Sequence, residues 1–328
     1  MIAETFINAA LLLAYPRLAL QYHRLAGHWP NIAEPSTINE KYMWRKIIDR
    51  NPLFITLSDK LLVKDYCASH FPQVRTAKVV WTGHDIRSAP PQLLRQPSYL
   101  KANHASGFNL RLGPDVELPA PDELHATTQG WLRTKWHRYH NEWGYADIQP
   151  KLFIEEYIPP SGPAGNLDIT VYSFARRVSH ISAMLNHKSE LTHVGRFDEH
   201  GKRLAIPTPD NPGKPPPPGI SPPGDVAILP LDFDLPPGTP SIVELSRTMT
   251  QHSDHLRVDF LWNGRHWYLT EITIYSMGGF IGYTDDELLG KMTDFWHLQD
   301  SWPMIQPQHG WRKHYISWLR KKLEDRTL

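Results

Sequence analysis

Cysteine is nearly absent from this 328-residue chain, where Cys67 stands alone. One thiol excludes an internal disulfide and a zinc site built on cysteines, and it fits a reducing compartment. Charge excess is missing too. Thirty-five Lys and Arg against 34 Asp and Glu leave a net charge of +1, so no basic field argues for nucleic acid. The apolar opening, "MIAETFINAALLLAYPRLAL", is too short to span a bilayer and is interrupted at Pro16-Arg17. It also lacks a basic leader and a small-residue cleavage site. The expectation is a packed or surface-lying helix in a cytoplasmic protein.

What is present is globular: 41% hydrophobic and 21% charged residues in a chain long enough to bury a sizeable core. The 18 His and 12 Trp suggest many amphipathic contacts but identify no ligand. Residues 36–70 read as helical. Ser36 or Thr37 followed by Glu40 makes a capping signature, and Tyr42, Trp44, Ile47 and Ile48 form an apolar stripe. Leu57, Leu61, Leu62 and Tyr66 recur at helical spacing after Pro52. From about 74 the period changes, and "VRTAKVVW", "SYLKANH" and "KLFIEEYI" read as short strands. "WLRTKWHRYHNEWGY" (131–145) is expected to be an aromatic-basic helix, and "LDITVYSFARRVSHISAML" two more strands. The stretch 207–224, "PTPDNPGKPPPPGISPPG", is expected to be an exposed polyproline-rich excursion. "PSIVELSRTMTQHSD" reads as a helix, and "WRKHYISWLRKKLEDR" as a closing amphipathic one, for which a membrane-surface contact stays open. There is no internal repeat. The pattern is mixed α+β.

Three stretches bear on chemistry. In "LRVDFLWNGRHWYLTEITIYSMGGF" (256–280), Asn263-Gly264 signals a hairpin turn. Asp259 lies on its first strand and Glu271 on its second, not necessarily opposed. Bare carboxylates on apolar strands are costly, so the pair wants a metal, an arginine or water. Carboxylates on rigid strands suit Mg²⁺, which takes one or two of them plus substrate phosphates; an ion pair with Arg257 or Arg265 is the alternative. In "YLKANHASGFNLRL", Lys101 ends a strand ahead of a small Gly-containing turn, which suits phosphate but equally suits an ordinary surface strand. No Walker or GxGxxG loop is present. "KLFIEEYIPP" offers backbone groups to an adenine and a carboxylate to a ribose, or is an edge strand with a solvated Glu pair.

In this order, a lysine and Gly-containing loop, "EEYI", and "RVDF…TEIT" resemble the ATP-grasp superfamily. The closer resemblance is to its TupA-like branch, associated with teichuronopeptide and other cell-surface polymer biosynthesis. The matching stretches are 36–66, 99–112, 151–158 and 256–280, which run across most of the chain. The resemblance implies an ATP-grasp fold, with a nucleotide clamped between two α+β lobes of antiparallel sheet. It implies a helical region at 1–73 and a smaller lobe at 74–158 carrying the phosphate loop and hinge strand. A larger lobe would follow at 159–300, with the hairpin and the 207–224 insertion, then the helix at 301–328.

Cofactors by this resemblance are ATP and Mg²⁺. Lys64 and Lys101 would contact phosphates, and the loop with His104, Ser106 and Gly107 would fold over them. Glu155, Glu156, Tyr157 and Ile158 would form the adenine hinge, with Glu156 or Asp168 reaching the ribose. Asp259 and Glu271, with Thr273, would make the metal site, and Arg257 would face the reacting phosphate beside Lys101. The chain departs from the usual pattern at Thr273, where many ATP-grasp enzymes carry Asn, and at Asp168-Ile169-Thr170, where relatives commonly have Asp-Tyr-Lys.

The implied reaction transfers the γ-phosphoryl group of ATP to a carboxylate. An amine then attacks the acyl phosphate, giving an amide and ADP. The expected partners are an acidic glycan or peptide acceptor of a cell-surface polysaccharide or its precursor, an amine donor, and polysaccharide-biosynthesis enzymes. Two alternatives stay open: a kinase acting on a glycan hydroxyl, and a non-catalytic nucleotide-binding module in a polysaccharide assembly complex. A kinase needs a base, and His104 is the obvious candidate in the matching stretches. A carboxylate acceptor needs cations instead, which Lys64, Lys101, Arg257 and Arg177 could supply.

Overall fold

The computed structural model describes residues 2–163, 165–187, 191–204, 225–282 and 286–325. The expected excursion at 207–224 lies outside the described residues. The chain opens with five helices: α1 (Ile2–Ala14), α2 (Pro16–Ala26), α3 (Ile38–Ile47), α4 (Leu53–Ser58) and α5 (Leu62–His70). Pro16, which cannot continue α1, serves as the first residue of α2. Thr37 caps α3 in a full capping box: its side chain accepts from the Glu40 amide, and the Glu40 carboxylate accepts from the Thr37 amide at 3.1 Å.

Strands β1 (Val79–Gly83), β2 (Ser98–Ala102) and β3 (Asn109–Leu112) follow, then α6 (Pro121–Arg133), the single turn α7 (His137–His140) and β4 (Leu152–Glu156). These four strands form one antiparallel sheet in the order β1-β4-β2-β3. The helix expected over 131–145 is instead centred upstream, on α6. Pro121 at its first position and Asp122 and Glu123 in its first turn are the start signals. The chain leaves helix at Thr134, and Asn141 adopts a left-handed conformation that ends α7.

A second sheet has the order β10-β9-β5-β6-β7-β8. Its strands are β5 (Leu167–Phe174), β6 (Arg177–Leu185), β7 (Leu191–Phe197), β8 (Asp225–Ile228), β9 (Leu256–Trp262) and β10 (Trp267–Thr273), with α8 (Thr239–Met249) between β8 and β9. All pairs are antiparallel except β7–β8. The chain closes with α9 (Asp286–Phe295), α10 (Trp302–Ile305) and α11 (Gly310–Glu324). The mixed α+β character, the antiparallel sheets and the N-terminal helical region are as expected.

Three apolar cores hold these layers. One lies within the four-stranded sheet and α6, built on Leu100, Leu112, Leu124, Leu152 and Ile154. Another joins α4 and α5 to the six-stranded sheet through Phe54, Leu57, Val171, Val258 and Ile272. The third joins the first and last helices, with Tyr42, Trp44, Met292, Trp296, Tyr315 and Leu319 fully or nearly buried. The apolar face of α11 is therefore spent on this core. Among the described residues no helix is long and apolar enough to cross a membrane.

Candidate active site

The turn between α4 and α5 is the pivot of the site. Asp59 closes it by accepting from the Leu61 amide at 2.8 Å and the Leu62 amide at 3.3 Å. Its other oxygen accepts from Asn103 Nδ2 at 3.0 Å, and the Lys60 amide donates to the Asn103 carbonyl at 3.0 Å. The turn is thus clipped to the end of β2, and it presents Lys60 and Lys64 four residues apart.

Lys64 Nζ lies 2.9 Å from Glu155 Oε2 and donates to the Ala77 carbonyl at 2.8 Å. Lys101 Nζ pairs with Glu155 Oε1 from the other side. This is a diagonal contact, because β2 and β4 place Tyr99 opposite Glu155 and Lys101 opposite Phe153. Burial alone would raise the Glu155 carboxyl, but the two ammonium groups outweigh it and hold it below the usual range. Two cations on one ionised, buried carboxylate leave a net positive patch on this sheet.

On the other sheet, Asp259 and Glu271 stand directly opposite one another. The register comes from two irregularities. The connection spans 263–266, where Asn263 Oδ1 accepts from the Arg265 and His266 amides. A bulge between Leu269 and Glu271 then shifts the pairing by one residue. Arg257 grips Asp259 with a two-toothed fork, Nε to Oδ1 at 3.0 Å and Nη2 to Oδ2 at 2.5 Å, and reaches Glu271 Oε2 at 4.0 Å. Burial pushes the Asp259 carboxyl up, with Glu271 adding to the rise and Arg257 and the Thr170 hydroxyl opposing it. Lys60 Nζ lies 3.4 Å from Glu271 Oε1, so the turn touches both sheets. Thr273 Oγ1 is buried with no hydrogen-bond partner.

Both oxygens of Asp259 are taken by Arg257, whereas Lys60 and Arg257 approach Glu271 at 3.4 and 4.0 Å. Among the described residues no group of three or more His, Cys, Asp or Glu could hold a metal ion. Two opposed carboxylates with the unpartnered Thr273 oxygen suit an ion whose remaining ligands come from a phosphate-bearing substrate, the habit of Mg²⁺.

The remaining candidates divide. Ser106 and Gly107 are exposed, and Gly107 has a φ of +78°, a left-handed turn that glycine adopts without strain. His104 is buried, and its Nε2 donates to the Thr134 carbonyl at 3.2 Å while burial lowers its pKa. This bond holds the loop to the end of α6. Glu156 is exposed and accepts from the Lys78 amide at 3.0 Å. Its own amide and that of Tyr157 donate to the Lys78 and Pro97 carbonyls. The Tyr157 ring lies under the Arg111 guanidinium, 4.2 Å away, and Ile158 is buried. Asp168 lies 3.5 Å from His187 Nδ1. Arg177 sits away from the cluster, donating to the Phe295 carbonyl and stacking on the Phe295 ring.

The structure thus brings Lys64, Lys101 and Glu155 together, and separately Arg257, Asp259 and Glu271. Sequence reasoning missed Lys60, which connects them, although the i,i+4 pair Lys60/Lys64 was visible. Thr170, noted in the sequence only as a departure from Asp-Tyr-Lys, stands opposite Asp259 on β5 and bonds its carboxylate.

No protein-family model matches the chain, and no curated protein matches it. Solved structures do. The D-alanine–D-alanine ligase of Bacillus anthracis complexed with ATP is 14% identical, with 83% of this chain and 69% of that chain covered at a TM-score of 0.38. The ATP-grasp ligase PsnB, complexed with a precursor variant, Mg and ADP, is 9% identical, with 88% and 74% covered at 0.37. The macrocyclase MdnC of Microcystis aeruginosa, bound to its precursor peptide MdnA, is 10% identical, with 86% and 69% covered at 0.36. The chain spans about two thirds to three quarters of the length of these three structures.

Proposed function

We propose that the protein is an ATP- and Mg²⁺-dependent carboxylate–amine ligase of the ATP-grasp, TupA-like type. Its acceptor is an acidic sugar or peptide carboxylate of a cell-surface polysaccharide or its precursor, and its second substrate an amine. The observation that carries the reading is the turn at 59–64. It sets Lys64 on Glu155 and Lys60 on Glu271, and so joins the cations of one sheet to the paired acids of the other.

In this reading Lys64 and Lys101 bind phosphate oxygens, and Glu155 keeps both ammonium groups aimed. Asp259, Glu271 and Thr273 hold Mg²⁺, which when bound neutralises phosphate charge. Arg257, always protonated, steadies charge at the transferring group. The acceptor carboxylate is already an ionised nucleophile at neutral pH. It attacks the γ-phosphorus and ADP leaves; the amine then attacks the acyl carbon and expels phosphate. The protein's part is positioning and charge stabilisation.

The test incubates protein, ATP, Mg²⁺ and uronate-bearing precursors with hydroxylamine. A hydroxamate is the expected product, trapped from the activated carboxyl group. A stable phosphate ester on a sugar hydroxyl would instead make the protein a kinase.

Lys101→Met keeps the stem's bulk and removes the charge. A charge-assisted hydrogen bond contributes about 1.5–3 kcal/mol, so ATP affinity should fall roughly ten- to a hundredfold by calorimetry. Unchanged affinity would place Lys101 outside the nucleotide site.

A further inference from the structure

Beside the Asp259–Glu271 hairpin lies a second group of polar side chains that the reaction above does not use. Arg50 follows α3, and its guanidinium lies over the Trp143 ring at 5.0 Å. Its bonds go to main-chain carbonyls, Lys46 at 2.9 Å and Asp49 at 3.3 Å. Arg312, from α11, donates to the Ile47 carbonyl at 3.3 Å. Among the described residues neither arginine forms an ion pair. They are close enough that Arg312, after burial, is the main influence weakening the Arg50 charge. Two neighbouring guanidinium groups repel one another, and that cost is relieved by an anion between them.

The surroundings supply unmet donors. Arg312 Nε, the Tyr275 hydroxyl and Trp143 Nε1 are all buried with no hydrogen-bond partner. Tyr275 itself is only 3% exposed, and such orphaned donors are costly to leave unmet. Arg50 and Tyr275 influence one another electrostatically, and Phe54 packs against both Trp143 and Tyr275, with ring centroids 6.0 and 6.3 Å away. Two acids are near. Burial and Asp254 push the Asp49 carboxyl up, while Arg45 and Arg50 oppose the rise. Glu142 is buried and faces Tyr145 and Tyr275. Tyr145 senses Glu142, Glu271 and Arg257 together, which places the group next to the hairpin.

We propose that Arg50 and Arg312, with the Tyr275 hydroxyl and the Trp143 indole N–H, form an oxyanion-binding subsite for a carboxylate or phosphate carried by the acceptor. Its assignment to the acceptor rests on the ligase reading; its anion binding does not. The subsite selects an acceptor with a second acidic group, one gripped here and the other presented to the reacting phosphate.

Calorimetric titration with inorganic phosphate and, separately, with glucuronate tests this, and the two arms distinguish phosphate from carboxylate. Both titrations are run on the wild type and on Lys101→Met, because phosphate could also sit at the nucleotide cations. Binding of at least one anion is expected in both proteins. It should weaken about tenfold or more in Arg312→Met and Arg50→Met, as loss of a charged donor implies. Tyr275→Phe removes one donor and keeps the ring. It is expected to weaken anion binding about two- to tenfold without lowering the melting temperature, and it decides the matter if the arginine variants fail to fold. Absence of binding by both anions would overturn the proposal. So would binding lost in Lys101→Met but kept in Arg312→Met, an outcome that leaves the nucleotide reading standing.

Discussion

Asp259→Asn and Glu271→Gln should each reduce Mg²⁺-dependent ATP turnover at least about a hundredfold, the scale expected when a preorganised charge at the reacting phosphate is lost. Each substitution removes one negative charge and almost no volume, so the hairpin should keep its register. The two differ in what they leave behind. Asp259→Asn deprives Arg257 of its forked carboxylate and frees the guanidinium to bind phosphate without the metal. Glu271→Gln leaves that fork intact and removes the charge of the acid that Lys60 approaches at 3.4 Å. ADP release measured on folded protein checks both, and wild-type turnover in either variant removes that residue from the site.

The largest loss of stability should follow from breaking the Arg45–Asp254 pair, whose side chains are 0% and 1% exposed. Asp254 also accepts from Trp296 Nε1 at 2.5 Å, from the His255 amide at 3.0 Å and from the Ser301 hydroxyl. Arg45 donates to the Ile274 carbonyl at 2.8 Å and stacks on Trp296 at 4.3 Å. The pair therefore ties α3 to the strand leading into β9 and to the closing helices. Arg45→Met leaves a buried, uncompensated carboxylate, which costs about 3–5 kcal/mol. Denaturant unfolding should show that loss, and the double variant Arg45→Met/Asp254→Asn should lose less than the two single losses combined. Additive losses would mean that the two side chains act independently.

Local chemistry made parts of this molecule legible in the sequence. Thr37 and Glu40 announced α3, because a capping box satisfies itself within four residues. Asn263-Gly264 announced the β9–β10 hairpin, and the apolar alternation around Lys101 and Glu155 announced β2 and β4. Long-range facts were less readable. The facing of Asp259 and Glu271 depends on a bulge at Thr270 that no residue type there signals. The helix expected over 131–145 was misplaced because its aromatic spacing outweighed the Pro121-Asp122-Glu123 start signal ten residues earlier. Arg45 and Asp254 lie 209 residues apart, and neither looked unusual in its own segment. Lys60 was overlooked for a similar reason. Only the fold shows that its neighbour Lys64 turns to one sheet while it turns to the other.

The account stands on these two halves forming one ATP–Mg²⁺ site, and calorimetry of ATP binding with and without Mg²⁺ tests that most directly. Wild-type protein should bind one ATP per chain, more tightly with Mg²⁺ than without. Glu271→Gln should bind ATP with little Mg²⁺ enhancement, and Lys101→Met should bind weakly in both conditions. ATP that does not bind, or an Mg²⁺ enhancement that survives intact in Glu271→Gln, would contradict the account.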